Sequence, residues 1–359
     1  MGTGFDELIS QAASAFALQS PLRIREAGGG KINRTFIAAM PGGEELVFQS
    51  VNTRVFPNPS DIMENIGRIT DHIRAKSPGA VCLEFLCAPD GKNYAVLPSG
   101  FWRVSRFIPS VSYATTRKKD VIRGLGEAAG SFLKDLSDFD ASALHTTIAD
   151  FHNTTKRLSD LQDAFENDAL NRVDSCKKEI DFVLSRYSEA TLLDRMKENG
   201  DLPLRVTHND TKLGNVLFDK ESGKPLCLID LDTVMPGLAA HDFGDSVRSA
   251  ANKAGSACTD YEKVGLGPAR FQAYAEGYLS KAGEILTEAE KAVLAPSGLV
   301  MALEQSARYL TDYLSGDTYF RTSYPGQNLD RARNQIALAA DMEKKMPLMR
   351  RTVARCCRG

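Results

Sequence analysis

Apolar residues recur along this chain with two periods, and the change from one to the other comes near residue 108. Leu8, Ile9, Ala12, Ala15 and Phe16 fall at helical spacing and predict a short amphipathic helix over residues 5–18. Leu22 to Glu26, Phe36 to Ala39 and Glu45 to Asn52 read as strands, with Pro41-Gly42-Gly43 turning the last pair. Ile62, Ile66, Ile69 and Ile73 step by four, three and four and predict a helix over 58–76. Asn58, Ser60 and Asp61 offer caps for it, and Ser77-Pro78-Gly79 ends it. Three more strand-like runs follow: Ala80 to Leu86, Asn93 to Leu97 and Phe101 to Phe107.

Beyond Ile108-Pro109-Ser110 the pattern is almost wholly helical. Val121, Ile122, Leu125, Ala129, Phe132, Leu133 and Leu136 mark one helix, residues 145–158 look irregular, and 164–197 reads as two helices. Further helices are expected near 240–254, 268–283, 287–293, 297–314 and 327–357. The pattern predicts an α+β chain: an antiparallel β-rich first lobe over residues 1–108 and a mainly helical second lobe over 109–359. Any site is expected in the cleft between such lobes.

One stretch interrupts the helices and carries the densest chemistry. Leu204-Arg205-Val206 leads into His208-Asn209-Asp210-Thr211-Lys212-Leu213-Gly214-Asn215. Val216-Leu217-Phe218, a turn at Glu221-Ser222-Gly223-Lys224, and Leu226-Cys227-Leu228-Ile229 then end on Asp230. This is a hairpin with polar groups at both ends, so Asp210, Asn215 and Asp230 can converge. A carboxylate, a carboxamide and a second carboxylate suit phosphoryl transfer. Asp210 would orient and deprotonate a hydroxyl, while Asn215 and Asp230 would hold Mg²⁺ against the phosphates. In kinase catalytic loops the base Asp precedes a metal-binding Asn by five residues, and a metal Asp follows on the next hairpin. His208 is expected to brace the loop, and Asp242 and Asp245 to cap and brace the helix that follows them. His152 and His241 read as structural or surface residues.

The glycine-rich stretch Ala27-Gly28-Gly29-Gly30-Lys31-Ile32-Asn33-Arg34-Thr35 joins two strands. Glycines allow close backbone approach, and amides there can bind phosphates. Gly28, Gly29, Gly30, Lys31, Asn33 and Thr35 are therefore candidate ATP contacts. No G-x-x-x-x-G-K-[ST] pattern is present and no helix opens after the turn, which argues against a P-loop or a dinucleotide fold.

Composition narrows the classes further. The chain has 359 residues, 43% apolar and 25% charged, with a net charge of −2. Near-neutral charge gives no electrostatic case for nucleic acid. Seven cysteines without C-x-x-C spacing are neither a disulfide framework nor a zinc site and suit a reducing compartment. No apolar run approaches the ~20 residues needed to span a membrane, and no signal peptide is visible, so a cytoplasmic protein without a membrane partner is expected. Oligomeric state is not readable.

These motifs resemble the aminoglycoside phosphotransferase and choline kinase group, which has a bilobal protein-kinase-like fold. The resemblance rests on His208-Asn209-Asp210-x4-Asn215, Ile229-Asp230-Leu231-Asp232 and His241-Asp242-Phe243-Gly244-Asp245. Within that group the chain is similar to the bacterial N-acetylhexosamine 1-kinases. The similarity runs through Gly30-Lys31-Ile32-Asn33-x-Thr35, Phe48-Gln49-x-Val51-Asn52-Thr53, Thr207-His208-Asn209-Asp210-Thr211-Lys212-Leu213, Asp230-Leu231-Asp232-Thr233-x-Met235-Pro236-Gly237 and Asp312-Tyr313-Leu314-x-Gly316-Asp317. It implies ATP-dependent phosphorylation of the anomeric hydroxyl of N-acetylglucosamine or N-acetylgalactosamine. It also implies sugar contacts from Arg308 and Tyr319, with Asp232 as a nearby acid. One departure stands out. Gln49 occupies the place of the third-strand lysine of many kinases, which shifts phosphate binding toward Mg²⁺ and the glycine-turn amides and would leave Glu64 without an ion-pair partner. The N-acetylhexosamine kinases share this glutamine. The alternatives are a kinase of the same fold acting on choline, ethanolamine, homoserine or an aminoglycoside, or a non-catalytic nucleotide-binding scaffold.

Overall fold

A computed structural model describes residues 4–27 and 32–358. The chain forms two compact units. The first holds the chain up to Ser110 together with Ser142–Ile148 and Leu231–Met235; the second holds Val111–Ala141, Ala149–Asp230 and Pro236–Gly359. No helix among the described residues is long and apolar enough to cross a membrane.

The first unit is built on a five-stranded antiparallel sheet. Its strands are β1 (Arg23–Glu26), β2 (Arg34–Ala39), β3 (Glu45–Val51), β4 (Ala95–Leu97) and β5 (Gly100–Arg106), in spatial order β1-β2-β3-β5-β4. Alternation along the strands sorts the two faces. Phe36, Phe48 and Val104 are register partners and are buried, together with Leu46, Trp102 and Ala38, against Ile9, Ala12 and Ala13 of the helix Gly4–Ala15 and Phe16 just after it. The helix Pro59–Lys76 buries Ile62, Ile66, Ile69 and Ile73, the stripe seen in the sequence. Asn58 is its N-cap residue, but its side chain makes no capping bond.

The opposite face of the sheet carries a polar row, Thr35, Gln49 and Arg103, again in register. Gln49 donates to Thr35 Oγ1 at 3.0 Å and accepts from Arg103 Nε at 3.0 Å. Arg103 is only 2% exposed and forms an ion pair with Asp232, whose side chain is 3% exposed. The second Asp232 oxygen accepts from Asn33 Nδ2 at 2.6 Å. Gln49 is thus uncharged, yet a guanidinium from the neighbouring strand lies beside it, already neutralised.

Two expectations for this unit are corrected. Residues 80–86 do not form a strand. Phe85 makes an isolated bridge to Ser105, and the main-chain bonds run only from Leu86 to Val104 and from Arg106 to Glu84, so the segment touches β5 without joining its ladder. Glu64 does have ion-pair partners: it pairs with Arg68 and meets His145 Nε2 at 2.9 Å.

The second unit is mainly helical. Its helices include Lys119–Asp135, Thr154–Asn167, Lys177–Leu184, Leu192–Glu198, Ala239–Ala250, Pro268–Ala282, Glu288–Leu314 and Gln327–Cys356. Residues 164–197, read as two helices, hold the end of Thr154–Asn167 and then three short helices, Lys177–Leu184, Tyr187–Ala190 and Leu192–Glu198, and the segment read as irregular already contains the start of Thr154–Asn167, capped by Asn153 accepting from the Lys156 amide. The break expected at Pro296 is absent. Glu288–Leu314 is one helix with a Thr287/Glu290 capping box, and the proline lies inside it. The hairpin is present as β6 (Arg205–Thr207), a 3₁₀ turn Leu213–Asn215, β7 (Val216–Phe218) and β8 (Pro225–Leu228), with β7 and β8 antiparallel.

The helices Ala239–Ala250 and Glu288–Leu314 touch backbone to backbone at Gly244. A Cβ there would lie 2.5 Å from the Ser297 carbonyl oxygen and 2.6 Å from Met301 Cγ. The approach matters because the first helix carries Asp242 and Asp245 and the second Glu304 and Arg308.

Two outcomes follow. Gly244→Ala overpacks this crossing and should cost about 1–3 kcal/mol, read as a lower Tm in calorimetry. Asp232→Ala leaves Arg103 buried and uncompensated and should cost about 3–5 kcal/mol. An unchanged melting temperature for Asp232→Ala would show that its carboxylate serves something other than Arg103.

Candidate active site

The loop after β6 is shaped by a single buried carboxylate. Asp242, in the first turn of Ala239–Ala250, accepts the His208 N–H on Oδ2 at 2.8 Å and the Asn209 N–H on Oδ1 at 2.6 Å. Its carbonyl accepts the Thr211 hydroxyl at 2.6 Å, and Ser246 on the next turn donates to the Thr211 carbonyl at 2.7 Å. Burial pushes the Asp242 carboxyl up, and the nearby His208 and the two amide donors oppose that rise. Asn209 adopts a left-handed backbone, φ 62°, a conformation that Asn tolerates better than most residues. Gly237 leaves the room this needs, because a Cβ there would be 2.3 Å from Thr207 Oγ1 and 3.1 Å from Asn209 Oδ1.

His208 braces the same loop from inside. Its Nε2 lies 2.9 Å from the Ile229 carbonyl, which can only accept, so Nε2 carries the proton. Nδ1 is then free to accept from the Asp210 N–H at 3.3 Å. The histidine ties Asp210 to the residue that precedes Asp230.

The three expected chemical groups sit on this frame. The Asp210 side chain is 28% exposed and pairs with Lys212. Asn215 Nδ2 donates to the Asp210 carbonyl at 2.9 Å and to its Oδ2 at 3.0 Å. Desolvation works against charge on Asp210, but Lys212, then His208 and the Asn215 amide, outweigh it and hold the carboxyl below the usual range. It is therefore an ionised acceptor at neutral pH. Pairing of Val216 with Leu228 and the Ile229 N–H bond to the Asn215 carbonyl at 2.8 Å place Asn215 beside the end of β8. Asp230 follows there, exposed and left-handed at φ 64°.

The donor set fits a hard cation such as Mg²⁺. With Nδ2 committed to Asp210, Asn215 has its Oδ1 to offer, and Asp230 adds an exposed carboxylate. Mg²⁺ takes oxygen ligands, and in phosphotransferases one or two protein ligands suffice because phosphates and water complete the shell. Among the described residues no group of three or more His, Cys, Asp or Glu could hold a metal unaided.

Lys212 is the residue that sequence reasoning missed. Desolvation lowers its pKa, but Asp210, Asp230 and Asp245 together raise it. Its signal was positional: it stands two residues after Asp210. Asp245 pairs with Arg248, and its Oδ2 has no hydrogen-bond partner among the described residues. It braces its own helix and takes no bond from the loop.

The remaining expected contacts divide by unit. In the first, both ends of the Asn33 amide are engaged, by Asp232 and by the Asn52 N–H at 3.0 Å, and Thr35 and Gln49 bond each other. Gly28, Gly29, Gly30 and Lys31 lie outside the described residues. In the second, Arg308 lies over Phe151, Tyr319 and Phe320 at 5.3, 5.9 and 5.5 Å from their ring centroids. Tyr319 is 62% exposed. Arg308 and Tyr319 are therefore neighbours, as a shared pocket would require.

Comparison with known proteins finds the same fold elsewhere. Similar solved structures include spectinomycin phosphotransferase APH(9)-Ia in complex with ADP and spectinomycin, at 14% identity and TM-score 0.63, covering 94% of this chain and 98% of that one. A microcompartment-associated aminopropanol kinase matches at 15% identity and TM-score 0.61, covering 96% and 98%. Choline kinase from Cryptosporidium parvum Iowa II matches at 13% and 0.59, covering 96% of each. At such identities the likeness establishes a shared protein-kinase-like fold. The family model described as phosphotransferase enzyme family, APH, matches residues 23–284, which include the whole loop and hairpin. The chain therefore belongs to the phosphotransferase enzyme family.

Proposed function

We propose that the chain is an ATP-dependent kinase that phosphorylates the anomeric hydroxyl of N-acetylglucosamine or N-acetylgalactosamine, with Asp210 as the catalytic base. The observation that carries the kinase reading is the placement of Asp210, bonded to Asn215 and joined through the hairpin to Asp230. Asp210 would accept the proton of the acceptor hydroxyl and aim its oxygen at the γ-phosphorus. An anomeric hydroxyl is more acidic than an ordinary alcohol, so a carboxylate with a lowered pKa remains an adequate base. Asn215 and Asp230 would hold Mg²⁺ through their oxygens, and Mg²⁺, when bound, supplies positive charge against the phosphates. Lys212 would shift between Asp210 and the transferred phosphoryl oxygens, adding charge where it develops. Phosphate contacts from Asn33, Thr35 and Gln49 would require their present internal bonds to be shared or exchanged.

The acceptor rests on different support. The sequence motifs favour an N-acetylhexosamine. Among the similar structures are kinases of spectinomycin, aminopropanol and choline, so an amine-bearing acceptor is the competing reading. A cationic acceptor needs open aromatic faces or free carboxylates. Phe151, Tyr319 and Phe320 already carry Arg308, which favours a neutral, hydroxyl-rich acceptor if these residues line the pocket.

ADP release with Mg-ATP is expected for the N-acetylhexosamines and not for glucose, galactose, choline or homoserine. Asp210→Asn should reduce kcat about 10²–10⁴-fold, the range for losing a positioned base. Chelation with EDTA should abolish turnover and added Mg²⁺ should restore it. Turnover on choline or homoserine alone would keep the kinase and discard the sugar. Full activity in Asp210→Asn would overturn the assignment of the base.

A further inference from the structure

His152 stands just before the helix Thr154–Asn167 with a side chain only 6% exposed. Its Nδ1 is 2.9 Å from Glu304 Oε1, and its Nε2 is 3.2 Å from the main-chain carbonyl of Asn209. Both partners are acceptors. A neutral imidazole has one N–H, so one of the two contacts would set a lone pair against a lone pair. An imidazolium satisfies both. The Glu304 side chain is 1% exposed, and its other oxygen accepts the Thr154 hydroxyl at 2.9 Å, so the carboxylate is held in place to receive the charge.

The groups around His152 fit this state. On the helix Glu288–Leu314, Glu304 attracts the charge and Arg308 repels it. On the helix Ala239–Ala250, Asp245 attracts it, and the His241 ring lies 4.9 Å away by centroid. Desolvation favours the neutral ring, yet Glu304 outweighs it and the His152 pKa is raised. Glu304 itself, against its own desolvation, is drawn down to about 2 by His152 and then Arg308. His241 is pushed down to about 3 by burial and then by His152, so it remains neutral beside the cation. Asp194 adds a negative charge near Glu304, and Lys197 a positive one near His241.

The carbonyl that His152 holds belongs to the peptide leading into Asp210. The Asn209 N–H is fixed by Asp242 and its C=O by His152, so this left-handed residue is pinned at both ends. We propose that His152, as an imidazolium bridging Glu304 and the Asn209 carbonyl, is a positioning residue that fixes the direction of the catalytic Asp210 for phosphoryl transfer. The proposal rests on Asp210 as the base. Its charge is also its weakness. A raised histidine pKa means the contribution is complete below the ordinary value near 6.5 and is lost as pH rises through the raised value.

Two measurements test it. In the wild-type full-length protein labelled with ¹⁵N-histidine, long-range ¹⁵N–¹H correlation at neutral pH should show both His152 nitrogens protonated. This needs no acceptor and no variant, and a single neutral tautomer would overturn the proposal. In turnover with Mg-ATP and the acceptor found active, His152→Ala should lower kcat about a hundredfold with KM for ATP little changed, the scale of a small misplacement of a reacting group. Glu304→Gln, which removes the stabilising charge, should move the alkaline limb of the kcat–pH profile to lower pH. An unmoved limb, or a fully active His152→Ala, would overturn the proposal. Loss of turnover in Asp210→Asn beside full activity in His152→Ala would sink this inference alone, whereas full activity in both would sink the base assignment beneath it.

Discussion

The candidate site depends on Asp242 accepting two consecutive main-chain N–H groups, those of His208 and Asn209. Neither donor belongs to a strand or helix ladder, and both are buried, so each needs a fixed acceptor. A carboxylate supplies both at once, and each such charged hydrogen bond contributes about 1.5–3 kcal/mol. The same side chain therefore satisfies the loop and dictates its path. Asn209 is turned into its left-handed conformation, and Asp210 emerges toward Lys212 and Asn215. The helix that carries Asp242 stands close to Glu288–Leu314, which the bare backbone at Gly244 permits.

Buried charge recurs as the organising device. In the first unit Arg103, Asp232, Asn33 and Gln49 form one closed set, with no charge left over. In the second, Glu304 neutralises His152, and Arg248 neutralises Asp245. A pair of this kind adds little net stability over a well-packed apolar one, because desolvation cancels most of the attraction. Its effect is directional. Each fixes a side chain or carbonyl that apolar packing would leave free to shift by an ångström, and phosphoryl transfer is sensitive on that scale.

The fold class and the hairpin after β6 were legible because their signals are local. Asp210, Asn215 and Asp230 share one hairpin whose turn residues and β-prone runs lie within about two dozen positions. The Ile62 to Ile73 stripe fixed a helix in the same way. What failed was what needs distant partners. Residues 80–86 have a strand's composition but not a ladder's bonds, and the helices expected at 287–293 and 297–314 are one helix with Pro296 inside it. Glu64 looked unpartnered although Arg68 stands one helical turn on, and its second partner, His145, is 81 residues away. Asp242 reaches Asn209 across 33 residues, and His152 reaches Glu304 across 152. No periodicity encodes those meetings, so His152 read as an ordinary structural histidine.

The most direct test of the clamp is native-state amide hydrogen exchange at His208 and Asn209, resolved residue by residue. If Asp242 holds both amides as described, they should exchange as slowly as the core of Ala239–Ala250, and both should become fast together in Asp242→Ala while that helix stays protected. Fast exchange at the two positions in the wild-type protein would contradict the account.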